Sequence, residues 1–207
     1  MKTITKVETQ LTLTFEFPLP ATLTLNKQID LARSHWSTSR GHRGEWKDYL
    51  SGLALNQLPD ENKTKEWLED RRKWKHEQLM NPKRVIQFDS PIFSGKTWFA
   101  YHWLINSRAN DHDNVSAACK FIDDALVAAG IIRDDNFMHV GSYVGHSFDF
   151  APKTKEPKIK TRKKGNSKLF LPEDLLFNPT NQKVIVFAST DKDNWILHNI
   201  GRMREAN

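Results

Sequence analysis

The chain has a single cysteine, Cys119, in 207 residues, so no intrachain disulfide framework can hold it together. Long hydrophobic runs are missing as well, and no stretch approaches the ~18 apolar residues that span a bilayer. The opening segment, MKTITKVETQ, lacks the apolar centre of a secretory leader. Hydrophobic residues make up 38% of the chain, below the ~45–50% usual for globular domains, although that figure also counts glycine. A core therefore requires part of the chain to stay outside it. The length suits one domain with appendages. These absences exclude a disulfide-stapled scaffold and a bundle of membrane helices, and the resulting expectation is a soluble cytoplasmic protein.

Charge is present but unevenly placed. The formal net charge is +6. Between Ala151 and Lys168 stand Lys153, Lys155, Lys158, Lys160, Arg162, Lys163, Lys164 and Lys168 against one acid, Glu156. That segment alone carries +7, so the rest of the chain is close to neutral. A cationic arm on a neutral body suits a polyanion, because neutralised phosphates release condensed counterions. The same composition also describes a solvated loop with no partner.

Hydrophobic periodicity organises the remainder. QLTLTFEF, residues 10–17, alternates polar with apolar side chains and reads as a half-buried strand that ends at the prolines of PLP. Residues 34–44 form a polar, basic stretch containing His35, Trp36, Arg40, His42 and Arg43, read here as a loop able to meet phosphates or simply to be solvated. A helix is expected over 45–58. Residues 59–83 are densely charged, with Trp67, Leu68 and Trp74 on helical spacing, so a surface helix with a narrow apolar stripe is expected there. Its tryptophans suit packing against the body more than base stacking. A strand group is expected over 84–106, with TWFAYHWLIN as its best strand. Next comes the clearest helix, whose Val115, Ala118, Cys119, Ile122, Leu126 and Ala129 share one face. Asp113 or Asn114 suits its N-cap and Gly130 its C-terminal glycine position. Another turn and strand, the cationic arm, and a last strand at KVIVFAST follow. This order predicts a single α+β domain with a mixed β-sheet packed against helices, carrying insertions at about 59–83 and 151–182.

The acids cluster at the turns. Asp111 and Asp113 flank one residue where a strand meets a helix, and in extended backbone side chains two apart share a side. Asp134 and Asp135 stand at the next turn, after the helix. They can return to Asp113 only if the following chain runs back along that helix. Three close carboxylates resist full ionisation. A hard divalent cation relieves the repulsion, and oxygen-only ligands suit Mg²⁺ or Mn²⁺. At 100° per residue, Asp113, Lys120 and Asp124 fall within about 40° of one another, opposite the apolar face. Lys120 is then placed to face a phosphate, or to make an ordinary surface pair with Asp124.

The whole string DHDNVSAACKFIDDALVAAGIIRDD closely resembles the signature of the RusA-type Holliday junction resolvases: DxDN, a lysine, D-A-L, A-G and a closing D-D. Here these are Asp111, Asp113 and Asn114; Lys120; Asp124, Ala125 and Leu126; Ala129 and Gly130; Asp134 and Asp135. A looser likeness covers roughly residues 11–58, 84–150 and the final strand. The segments 59–83 and 151–182 have no counterpart in it. The resemblance implies a homodimeric, Mg²⁺- or Mn²⁺-dependent endonuclease that nicks four-way DNA junctions symmetrically in recombination and repair. It assigns metal ligation to Asp111, Asp113 and Asp135, and a phosphate-facing catalytic role to Lys120. Asn114 and Asp134 take supporting places, and Asp124 looks structural. On charge, and apart from the resemblance, contacts to DNA are expected from Arg40, Arg43 and the arm residues Lys153, Lys155, Lys158, Lys160, Arg162, Lys163 and Lys164.

Other residues are expected to be bland. Cys119 lies on the buried face and reads as core, His112 and His139 as surface or supporting histidines, and Asp123 as a solvent-facing helix residue. Two further functions compete with the resolvase. One is a non-catalytic nucleic-acid-binding protein on the same fold, and the other is a nuclease acting on flapped DNA or RNA.

Overall fold

The computed structural model describes residues 10–19, 36–105, 112–141, 145–151 and 181–199, without the side chains of 36–40 and 114. The alternating N-terminal segment forms β1 (Thr12–Pro18), with Leu13, Phe15 and Phe17 buried and Thr14 and Glu16 facing out. KVIVFAST supplies β4 (Lys183–Ser189), which buries Val184, Val186 and Ala188 on the same face. The aromatic run forms β2 (Trp98–Ile105), and β3 (Gly145–Phe150) follows the central helix. The order across the sheet is β1-β4-β2-β3, with β1 and β2 antiparallel to β4, and β2 and β3 parallel. The fold is thus α+β on a mixed four-stranded sheet.

Position in the sheet explains the composition of each strand. β2 is central and buried along nearly its whole length, which matches its unbroken apolar run. One of its faces meets the main core, and the other meets α5 (Trp195–Asn199), where Leu197 packs with Ala100, Trp98 and Phe187. β1 alternates because only one of its faces is covered. Gln57 secures the outer side of β1: its Oε1 accepts from the Glu16 N–H at 2.7 Å, and its Nε2 donates to the Glu16 carbonyl at 2.8 Å.

Gln57 ends α1, which runs Trp36–Gln57 and starts well before the expected helix. The segment read as a polar loop is therefore largely helical. His42, Trp46, Leu50 and Ala54 recur every four residues and are all buried, and this stripe packs α1 against α4 (Cys119–Ala129). His42 is consequently a core residue, accepting from the Trp46 Nε1–H at 3.1 Å. Arg43 is exposed on α1, and the side chain of Arg40 lies outside the described residues, as does His35.

The charged helix α2 (Lys65–Met80) follows a short 3-10 turn at Asp60–Asn62 and is capped by the Thr64 hydroxyl, which accepts from the Trp67 N–H. It belongs to the body. Trp67 and Trp74 enter the main core and close around Phe88, with Trp74 and Phe88 stacked at 4.9 Å. The third residue of the expected stripe, Leu68, faces solvent instead. Arg71 Nε donates to the Ala129 carbonyl at 2.7 Å, placing a cation at the C-terminus of α4. Residues 84–97 make only two isolated parallel bridges, Phe93 with Ile132 and Thr97 with Val140, so the expected strand group reduces to β2.

The central helix is not continuous. α3 (His112–Ser116) precedes α4, and between them Ala118 N–H donates to the Val115 carbonyl and Phe121 N–H to that of Ala118, the tighter i→i+3 pattern. The Ser116 hydroxyl also donates to the Asp113 carbonyl, at 3.3 Å, competing with the ordinary helical bond. At its other end α4 terminates on Gly130 with φ 78°, as its sequence position suggests.

At Gly130 a methyl group would lie 2.9 Å from Phe88 Cδ1 while the backbone holds a left-handed conformation. Gly130→Ala is expected to destabilise the protein by about 2 kcal/mol. The check is a lower urea midpoint with an unchanged slope.

Candidate active site

The site is assembled by the crossover between the parallel strands β2 and β3. After β2 the chain enters α3, runs back through α4, turns at Gly130 and returns beside residues 93–97 towards β3. The two bridges that pin the return segment are four residues apart on one side and eight on the other. The surplus forms a loop containing Asp134, Asp135, Asn136, Phe137, Met138 and His139.

That loop carries Asp135 to α4. Lys120 Nζ forms an ion pair and hydrogen bond with Asp135 Oδ2, and a second ion pair with Asp124 Oδ1 at 2.9 Å. Lys120 and Asp124 are one helical turn apart on the solvent-facing side of α4, and the return loop supplies the third member. Partial burial weakens the ammonium, but the hydrogen bonds it donates to Asp135 and Asp124 outweigh it and hold the Lys120 pKa above the ordinary lysine value. The side chain is therefore charged throughout the neutral range.

Asp134 is held differently. Its Oδ2 accepts from Gln87 Nε2 at 2.9 Å and from Asn136 Nδ2 at 2.7 Å, while its Oδ1 accepts from the Asp135 N–H at 2.8 Å. Asn136 then braces the next turn, its Oδ1 accepting from the Met138 N–H at 2.9 Å. Asp134 thus orders the loop that presents Asp135. The Asn136 bonds are local and of the kind an Asx turn suggests. Gln87 lies 47 residues away and gave no signal in the sequence.

Asp113 is exposed in α3, one residue after His112, whose ring lies 4.0 Å from that of Phe148. Helical backbone at Asp113 replaces the extended backbone from which convergence with Asp111 was expected. The tight turn at 117–118 likewise interrupts the wheel that grouped Asp113 with Lys120 and Asp124. Asp111 lies outside the described residues, as do the side chain of Asn114 and the arm residues Lys153, Lys155, Lys158, Lys160, Arg162, Lys163 and Lys164. Among the described residues, no group of three His, Cys, Asp or Glu side chains is arranged to hold a metal ion. Among them, too, no helix is long and apolar enough to cross a membrane.

Beneath Lys120 the inner face of α4 carries a surprise. Asp123, expected in solvent, is buried at 2% exposure and accepts from the Tyr101 hydroxyl at 2.6 Å. Burial raises the neighbouring Cys119 thiol, and the Asp123 charge adds to that shift, which leaves Cys119 a core residue rather than a nucleophile. Tyr101 and Asp123 tie α4 to the central strand directly under the Lys120–Asp124 turn.

No family model, curated protein or solved structure matches the chain.

Tyr101→Phe removes a hydroxyl donor from a buried carboxylate and is expected to cost about 1–3 kcal/mol. Asp123→Asn keeps an oxygen acceptor for Tyr101 and should cost less. Chemical denaturation of both variants checks this order, and equal losses would show that the Tyr101 bond is not what holds Asp123.

Proposed function

We propose that the chain is a metal-dependent endonuclease that hydrolyses phosphodiesters of branched DNA, as its likeness to the RusA-type resolvases suggests. The observation that carries this reading is the meeting of Lys120 with Asp135. They lie fifteen residues apart, on the helix and on the return loop, and both belong to the signature string. The mixed-sheet α+β fold is compatible with it.

The donor chemistry fits a hard divalent cation. Asp113 is exposed, Asp135 is partly so, and both offer only carboxylate oxygens. With Asp111 as the third acid, these residues would hold Mg²⁺ or Mn²⁺. Such an ion supplies an activated water and neutralises charge on the phosphodiester.

The protein's own groups do the rest. Asp134, fixed by Gln87 and Asn136, keeps the loop closed so that Asp135 stays over α4. Lys120, with its single positive charge between Asp135 and Asp124, offsets part of the repulsion between these two carboxylates. Its ammonium also faces the solvent side, where a phosphate arrives, and can stabilise charge that develops there. Symmetric nicking calls for two such sites related by a two-fold axis, hence a homodimer. A cationic arm on a near-neutral body, the charge distribution behind the net +6, also suits a polyanionic substrate such as DNA.

A second reading has one observation in its favour. Asp135 is already neutralised by Lys120, as in a surface ion pair that serves stability alone. A non-catalytic nucleic-acid-binding protein would need no more. Against it, exposed Asp113 repels phosphate, so its service to the first turn of α3 comes at a cost to nucleic-acid binding.

Asp113→Asn separates the two. Cleavage is expected to fall by more than about 100-fold, beyond what indirect changes around a metal usually cost. DNA binding, measured by gel shift with chelator present, should stay the same or tighten because a repulsive charge is gone. Lost binding or a lower melting temperature in this variant would instead make Asp113 structural.

A further inference from the structure

The parallel pairing of β2 with β3 lines up more than backbone. Tyr101 stands opposite His146 and Trp103 opposite Phe148 in the strand register. Their rings form a column of nearly parallel planes, set side by side rather than face to face. Tyr101 and His146 lie 5.3 Å apart at 11°, Trp103 and His146 5.9 Å apart at 9°, and Trp103 and Phe148 6.2 Å apart at 17°. His112 closes the column on Phe148, 4.0 Å away and tilted by 8°.

The column has a dry end and a wet end. Tyr101 and Trp103 are fully buried, whereas Phe148 is half-buried and His146 and His112 are exposed. It is also rigid. Trp103 Nε1–H donates to His146 Nδ1 at 2.9 Å, which fixes the plane of that imidazole and leaves its neutral proton on Nε2. Packing among the other rings desolvates His146 and holds its pKa below the ordinary histidine value, so the ring stays neutral at physiological pH.

An apolar cluster normally hides its rings, but this one ends in a flat imidazole that the core stack has already aligned. One face of the His112 ring rests on Phe148, and the residue as a whole remains exposed. A flat, polarisable partner suits that surface, and nucleobases stack on such rings irrespective of sequence. Two further facts favour a base on a nucleic-acid strand. His112 directly precedes Asp113, the exposed acid of the candidate site. In sequence, β3 also leads within three residues into the cationic run that begins at Lys153.

We propose that His112, seated on Phe148, is a stacking platform for an unpaired nucleobase beside the cleavage site. The platform rests on the nuclease reading of Asp113 and adds to it a preference for strands with an unstacked base, such as those at branches and flaps. Tyr101, Trp103 and His146 are positioning residues that fix the plane of Phe148 and through it that of His112.

The test is binding in the presence of chelator, where cleavage does not enter. A labelled oligothymidylate is compared with the same sugar-phosphate strand made abasic. The wild-type protein is expected to prefer the base-bearing strand by about tenfold, in line with stacking of one base. His112→Ala should bring the two affinities together without weakening the abasic complex, and His112→Phe should restore the preference. An unaltered melting temperature for both variants is expected, since His112 is exposed. Loss of affinity for both strands alike, or a preference that survives His112→Ala, would overturn the platform. Displacement of the strand by micromolar thymidine monophosphate would reassign the surface to a free nucleotide and also overturn it. The outcomes separate from those of the nuclease reading. Cleavage without base preference removes the platform alone, and base preference without cleavage under any divalent metal removes the nuclease reading alone.

Discussion

Parallel strands cannot be joined by a tight turn, so the chain between β2 and β3 must cross the sheet and come back. That constraint produces α3, α4 and the return loop, and nearly every group of the candidate site lies on this crossover. Asp113 stands where it begins, Lys120 and Asp124 along its outbound helix, and Asp134 and Asp135 on its return. Proximity between Lys120 and Asp135 is a consequence of the topology and not of sequence spacing. The loop that brings them together exists because the return path has more residues than the strand it follows between the two bridges.

The helix that carries Lys120 is anchored on its opposite side. α1 buries His42, Trp46, Leu50 and Ala54 against it, α2 caps its C-terminus through Arg71, and Tyr101 holds Asp123 from the sheet below. Small residues on α4, Ala125, Ala128 and Ala129, let these neighbours approach closely. Polar groups on the outer face can then stay in fixed positions while the inner face is packed. The same arrangement serves either chemistry or a stable ion pair.

Much of this was legible in the sequence where one residue's environment depends on its near neighbours. The alternation in β1, the unbroken apolar run of β2, the apolar face of α4 and the C-terminal Gly130 all express local periodicity or backbone geometry. The failures share a different cause. Residues 36–44 read as a polar loop because glycines, serines and basic side chains dominate, yet His42 joins a buried stripe defined by packing on α4. Asp123 was assigned to solvent because an acid normally belongs there, and its partner Tyr101 comes from a strand 22 residues earlier. The helical wheel joined Asp113 to Lys120, but the Ser116 hydroxyl and the tight turn at 117–118 break the regular rotation it assumes. Within the candidate site, the sequence offered Asp113, Lys120, Asp124, Asp134 and Asp135 as groups at the turns and on the outer helix face. It did not reveal that Lys120 would be shared by two carboxylates, or that Gln87 would brace Asp134.

The central claim is that this crossover is built to cut branched DNA. The most direct measurement is cleavage of a synthetic four-way junction beside matched linear duplex and single-stranded RNA, each with Mg²⁺ and with chelator. The account predicts paired symmetric nicks in the junction alone, lost when the metal is removed. Tight junction binding with no cut under any divalent metal, or equal cutting of the RNA, would contradict it.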